Sequence, residues 1–132
     1  MMTKTHFAFS VLLLAFTHPT LSGEAQLSQQ YSTCMNQPDS TTVSMIDCMA
    51  AETKQQDARL NKAYKELMGT LSAERKKDLR TAQRLWIKYR DANCSFYYDP
   101  NGGSMARISA NDCIMNSTAE RAKELELFFN EY

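Results

Sequence analysis

Histidine is scarce in this chain: it has two, His6 and His18, and both stand close to the amino terminus. That terminus reads as an export signal. Lys4 gives it a basic start, a mostly apolar run follows from Phe7 to Phe16, and Thr-His-Pro-Thr-Leu-Ser-Gly-Glu-Ala comes next. The apolar run is too short to cross a bilayer, and small residues after it supply a cleavage site, as in secretory signal peptides. We therefore expect a signal peptide over 1–22, cut after Ser22 or as late as Ala25, and one domain over 23–132. Once the signal is removed no histidine remains, which excludes Ser-His-Asp and Cys-His catalysis and the usual histidine metal sites. No cysteine stands just beyond the cleavage boundary, so no stable membrane anchor is expected. The expected location is the periplasm, with the protein exported and soluble.

Charge of one sign is also lacking. Formal charge is balanced at +0, and loss of Lys4 leaves the remainder slightly negative. A neutral total and an exported location argue against a nucleic-acid partner. The distribution is uneven. Arg75, Lys76, Lys77, Arg80, Arg84, Lys88 and Arg90 make a basic flank, and Glu120, Glu124, Glu126 and Glu131 an acidic end. Lys76, Arg80, Arg84 and Lys88 recur every four positions, a spacing that forms one helical stripe. Such a stripe is a solvated face, or it meets anionic envelope material or an acidic partner. Acids are plentiful enough for two-carboxylate hydrolysis, but no local pattern singles out a pair. The chain does not read as an enzyme, and no cofactor or metal is expected.

Strand alternation is missing throughout, whereas helix periodicity is sustained. From Thr41 to Leu71 apolar or small residues recur at Ile46, Ala50, Thr53, Leu60, Tyr64, Leu67 and Leu71, in alternating steps of four and three. A second helix is expected from about Ser72, its N-cap, to about Phe96, with inner positions Leu79, Ala82, Gln83, Trp86, Arg90 and Cys94. Asp-Pro-Asn-Gly-Gly-Ser at 99–104 is the strongest turn signal. A third helix is expected from Asn111 or Asp112, with a stripe of Ile114, Thr118, Arg121, Leu125, Phe128 and Tyr132. The fold class is all-α: an antiparallel helical hairpin plus a third C-terminal helix, stapled by two disulfides.

The short link between the first two helices makes them antiparallel neighbours. Reflection through residue 73 then sets Leu67 against Leu79, Tyr64 against Ala82 and Leu60 against Trp86. Asp57 interrupts the apolar seam and falls opposite Tyr89 and Arg90. An unpaired carboxylate there would be costly. A structural ion pair of Asp57 with Arg90, fixing register, is the reading adopted over a binding or catalytic pair. Trp86 and the methionines Met45, Met49, Met68 and Met115 read as core.

Cys34, Cys48, Cys94 and Cys113 are an even set in an exported chain, so they read as disulfides. Four cysteines allow three pairings. Cys34–Cys48 and Cys94–Cys113 each close a modest loop, and local pairing is expected; Cys48 and Cys94 also meet at the open end of the hairpin, so cross-pairing stays open.

Several of these motifs together resemble one family. Cys48, Asp57-Ala-Arg-Leu60-Asn61-Lys-Ala-Tyr64 and Ala82-Gln83-Arg-Leu-Trp86-Ile-Lys-Tyr-Arg90-Asp91-Ala-Asn-Cys94 are similar to the LprI-like lysozyme inhibitors of the bacterial envelope. Gly102-Gly103-Ser104, Cys113 and Thr118-Ala-Glu-Arg121-Ala-Lys-Glu-Leu125 continue the match, from Cys34 to about Leu125. The resemblance implies a secreted binding protein that occludes the active-site cleft of a lysozyme-type muramidase. Blocking such a cleft asks for a rigid element that satisfies catalytic carboxylates. The segment 99–110 meets that requirement. Gly102 and Gly103 allow a tight tip, Ser104 offers a hydroxyl, Arg107 a guanidinium, and a Cys94–Cys113 bridge would clamp the base. The plain alternative is a connector between helices. Against a basic lysozyme the acidic third helix is the more comfortable face. An immunity or adaptor protein for another envelope partner is the competing function, and a two-carboxylate hydrolase the third.

Overall fold

The computed structural model describes residues 26–131, so the expected signal peptide lies outside the described residues. Four helices make up the fold: α1 (Gln29–Met35), α2 (Thr42–Thr70), α3 (Ala73–Phe96) and α4 (Gly103–Glu131). No strand occurs among the described residues.

Local chemistry sets the helix ends. Thr41 and Ser44 form a reciprocal capping box at the start of α2, each side chain accepting the other's backbone N–H at 3.1 and 2.8 Å. Leu71 is extended (ψ 152°), and Ser72 then caps α3 by accepting the Arg75 N–H. With only Leu71 and Ser72 between the helices, the chain must reverse direction. Between α3 and α4 the reversal is made by Asp99 to Gly103. The Asp99 side chain accepts the Asn101 N–H at 2.8 Å, and its carbonyl accepts the Gly102 N–H at 3.0 Å. Gly103 sits at φ +63°, a left-handed conformation that glycine adopts without steric cost.

Both disulfides take the local pairing, Cys34–Cys48 and Cys94–Cys113, with Cα–Cα distances of 5.8 and 5.4 Å. Each is worth about 3 kcal/mol in the chain-entropy account. The first ties the short α1, which the periodicity did not show, onto α2. The second joins the end of α3 to α4.

The all-α fold has the expected α2–α3 reversal followed by a C-terminal helix, but the main packing seam is a different one. The extensive contact is between α2 and α4, with α3 resting on α4 and α1 on α2. Polar partners give the directions. Cys94 joins Cys113, Arg90 donates to Thr118, and Gln83 accepts from Arg121, so α3 and α4 run antiparallel. With two reversals, α2 and α4 are parallel. Leu60, Ala63 and Leu67 of α2 pack with Ala122 and Leu125 of α4, while Leu79 is the buried leucine of α3 in that cluster. Leu67 and Leu79 do share the core near the turn. Further along, the expected Tyr64–Ala82 and Leu60–Trp86 seam is replaced by α4, and Ala82 is exposed.

The reason lies in composition. The inner positions of α3 include Gln83 and Arg90, which cannot bury the apolar stripe of α2. The α4 helix offers Met115, Ala119, Ala122 and Leu125, all fully buried. Small residues from both helices, Ala63 and Ala122, are part of that buried cluster. Being covered on two sides, α4 has two inward stripes: the expected Ile114–Thr118–Arg121–Leu125–Phe128 line and Met115–Ala119–Ala122 beside it.

The third helix also begins earlier than expected, at Gly103 and not at residue 111 or 112. Nothing in Ser104–Ala110 opposes a helix, and the two glycines form its entry: the Gly102 carbonyl accepts the Ala106 N–H at 3.4 Å.

The Asp57–Arg90 ion pair is not formed. Asp57 is exposed and accepts from Asn61 one turn on, at 2.9 Å. Arg90 donates to Asp91 at 2.7 and 2.9 Å and lies 5.0 Å from the Trp86 ring centroid. The buried stripe of α2 passes through Glu52, Gln56 and Leu60, one position away from Asp57, and faces α4 instead of Arg90.

Candidate functional site

The segment singled out from the sequence stands at one end of the molecule as the tip of the α3–α4 hairpin. Gly102, Gly103, Ser104 and Arg107 are all exposed there. The expected loop is short, however: Ser104 and Arg107 ride on the first turns of α4. Ser104 and Arg107 are therefore held by helical backbone. The Cys94–Cys113 bridge lies behind them, and Asp99 closes the turn from within. Gly102 has no room to spare, since a Cβ there would stand 2.6 Å from the Ala106 Cβ and 3.1 Å from that of Asp99.

Sequence reasoning missed what the tip presents most openly. Phe96 is 86% exposed, and Tyr97, Tyr98 and Met105 are about half-exposed or more. Phe96 and Tyr97 meet edge to face with ring centroids 6.3 Å apart. The signal was legible as three successive aromatics, Phe96-Tyr97-Tyr98, directly before the strongest turn; read as a helix end, it attracted no role.

A groove runs from the tip along the α3–α4 junction. Tyr97, Asn93 and Tyr89 line its α3 side, and Asn116, Ser117 and Glu120 its α4 side. Its middle section encloses about 460 Å³ and reaches Trp86 and Glu124. Trp86 is half-buried, as a core residue with one accessible edge, and Arg90 and Arg121 stack near its ring at 5.0 and 5.9 Å. Arg121 is buried, donates to Gln83 at 3.0 Å and pairs with Glu124. The acids of α4 therefore border the groove, while Arg80, Arg84 and Lys88 are exposed on α3 away from the residues that meet α4.

At the far side of the bundle a polar ladder fixes α1 and the long helices. Glu52 is only 1% exposed and accepts the Ser28 backbone N–H at 2.8 Å, the Ser28 hydroxyl, and the Gln56 amide at 2.7 Å. Burial by itself would raise the Glu52 pKa, but these hydrogen bonds outweigh it and hold the carboxyl below its usual range. Gln56 accepts from Arg59, which makes a bidentate pair with Glu126 of α4. The Glu126 hydrogen bond raises the Arg59 pKa against the opposing effect of burial. The Tyr31 hydroxyl's pKa is raised by burial and by the charges of Asp112 and Glu52. Among the described residues no group of acids and cysteines is arranged to hold a metal ion.

The described residues thus form an all-α scaffold with two disulfides and an exposed aromatic tip next to the Cys94–Cys113 bridge. The chain belongs to the LprI lysozyme-inhibitor family, which matches residues 34–125. It is also similar to an uncharacterized protein of Rhizobium meliloti (strain 1021), 31% identical over 101 residues, covering 64% of this chain and 73% of the relative. No solved structure matches the chain.

Proposed function

We propose that this protein is exported to the periplasm and inhibits a lysozyme-type peptidoglycan hydrolase by seating the α3–α4 tip in the enzyme's cleft. The observation that carries this reading is the tip itself: large exposed aromatics on a turn braced by Cys94–Cys113. Exposed aromatic side chains of this size bury much area at low rotamer cost, and bracing reduces the entropy lost on docking. Ser104 and Arg107 supply a hydroxyl and a guanidinium to the enzyme's catalytic carboxylates. Glu120 and Glu124 along the adjoining groove complement a basic enzyme surface and speed encounter. Among the described residues no helix is long and apolar enough to cross a membrane. Inhibition needs no turnover by the inhibitor, so its signature is stoichiometric. Titration into a lysozyme digesting bacterial wall should protect the substrate with a one-to-one end point. Absence of protection across several lysozyme classes, with capture of a different envelope protein, would move the assignment to an adaptor or immunity role.

A further inference from the structure

The inhibitor reading uses the tip and the acidic groove and leaves most of the exposed surface of α3 without a role. Ala82, Leu85, Tyr89, Ala92 and Phe96 recur in steps of three and four, the spacing of a helix side that packs on another helix. All five are exposed, Leu85 to 61%, Tyr89 to 66% and Phe96 to 86%. At 3.6 residues per turn they share one side of α3, about a third of a turn from Leu79, Gln83, Arg90 and Cys94, which face α4. Ile87 falls on the side opposite this stripe, and Asp78, one step before Ala82, ends it.

The two borders of the stripe carry opposite charge. Along one, Tyr89 and Asn93 line the groove with Glu120 and Glu124 of α4. Along the other stand Lys88 and, behind it, Arg84, both exposed. The acids have hydrogen-bonding capacity left, since both are exposed and Glu124 engages one oxygen with Arg121. Neither α1 nor α2 packs extensively on α3, so its apolar stripe is not covered from within the chain.

We propose that this stripe pairs with the same stripe of a second copy, giving a parallel two-fold dimer through α3. A two-fold axis along α3 sets each border against the opposite border of the other copy. Lys88 of each copy then faces Glu120 and Glu124 of the other, at the level of Tyr89, and the contact is made twice. An antiparallel pairing would set the two Lys88 borders side by side, where like charges oppose it. The surface is therefore complementary to itself in one orientation, a match that an unrelated partner would not require. Tyr89 and Phe96, at their exposures, offer about 300 Å² of contact. A standard interface takes about 800 Å² from each partner, so this dimer is weak and forms where the protein is concentrated. Where the tip inhibits as proposed above, pairing covers Phe96 and competes with the enzyme.

The test is sedimentation of the exported chain over a range of concentration, without enzyme, so that its outcome is independent of the inhibitor reading. Wild type should shift from monomer to dimer as concentration rises, and salt should weaken the shift. Leu85→Glu should weaken dimerisation by about tenfold or more, because it buries a carboxylate without a partner. Lys88→Glu should also weaken it, and Lys88→Glu/Glu120→Lys should restore it. Orientation is read by oxidising single-cysteine variants, since the native cysteines are all bridged. In a parallel pair Leu85→Cys and Ala92→Cys each meet their own counterpart and should cross-link, a bridge that needs Cα atoms within about 7 Å. Ile87→Cys, on the opposite side, should not. All these positions are exposed, so helix content should be unchanged. Sedimentation that does not change with concentration overturns the proposal, as does dimerisation of Lys88→Glu equal to wild type. Cross-linking of Ile87→Cys as fast as Leu85→Cys overturns it too. Loss of inhibition by Leu85→Glu, with wild type a monomer at every concentration, would assign the stripe to the enzyme contact instead.

Discussion

Replacing Glu52 with glutamine should loosen the amino-terminal end of the fold in a way that depends on pH. The carboxylate is 1% exposed and receives three hydrogen bonds, two from Ser28 and one from Gln56. Glutamine keeps the shape and one acceptor oxygen, but its amide opposes a donor where the carboxylate accepted one. Hydrogen bonds to a charged partner contribute about 1.5–3 kcal/mol each, and a stranded buried donor costs a similar amount. With one acceptor retained and the Ser28 hydroxyl able to turn, the net loss is about 2 kcal/mol at neutral pH. In a domain of this size that is on the order of 10 °C in Tm. The sign with pH follows from the lowered pKa. Wild type gains the full carboxylate contribution above the unfolded glutamate pKa of about 4.3 and loses it as pH falls through the lower folded value. Glutamine does not titrate, so the gap between the two proteins should narrow in that acidic window. Denaturant melts of both proteins from neutral to acidic pH read the gap directly. A gap that is absent at neutral pH, or that does not change on acidification, would refute the buried Glu52–Ser28 latch.

Three further outcomes test other parts of the structure. Removing the tip clamp by Cys94→Ser/Cys113→Ser should cost about 3 kcal/mol in denaturant unfolding and weaken inhibition beyond that loss. Leu125→Ala, at a fully buried position of the α2–α4 core, should cost about 2–5 kcal/mol in the same measurement. Gly102→Ala adds a methyl where only 2.6 Å separates it from the Ala106 Cβ; the tip must shift, so inhibitory titration should weaken while the melting of the bundle changes little.

The helices were legible because periodicity and caps are local. The expected Thr41–Leu71 helix is Thr42–Thr70, and Ser72 caps α3 as anticipated. Disulfide pairing followed from the same helix positions. Which helices pack was not legible, because a reflection through the turn gives direction without showing that α4 outcompetes α3 for the stripe of α2. Asp57 was misplaced by that choice: one position away, Gln56 carries the buried polar role. Glu52 gave no sign of its partner, since Ser28 is 24 residues distant and meets it only through the Cys34–Cys48 fold-back. At the site, Gly102, Gly103, Ser104 and Arg107 were found at an exposed tip, whereas the aromatics beside them were overlooked. Their significance depends on exposure, which sequence spacing does not report.

The central claim is that the clamped aromatic tip is what blocks the enzyme. It is tested most directly by titrating Phe96→Ala/Tyr97→Ala against a sensitive lysozyme on bacterial wall, beside wild type. Both side chains are exposed, so folding should be unaffected, and each buried aromatic anchor at an interface centre is worth about 2 kcal/mol or more. The account predicts at least a tenfold loss of inhibitory potency with unchanged thermal unfolding. Equal potency of variant and wild type would contradict it.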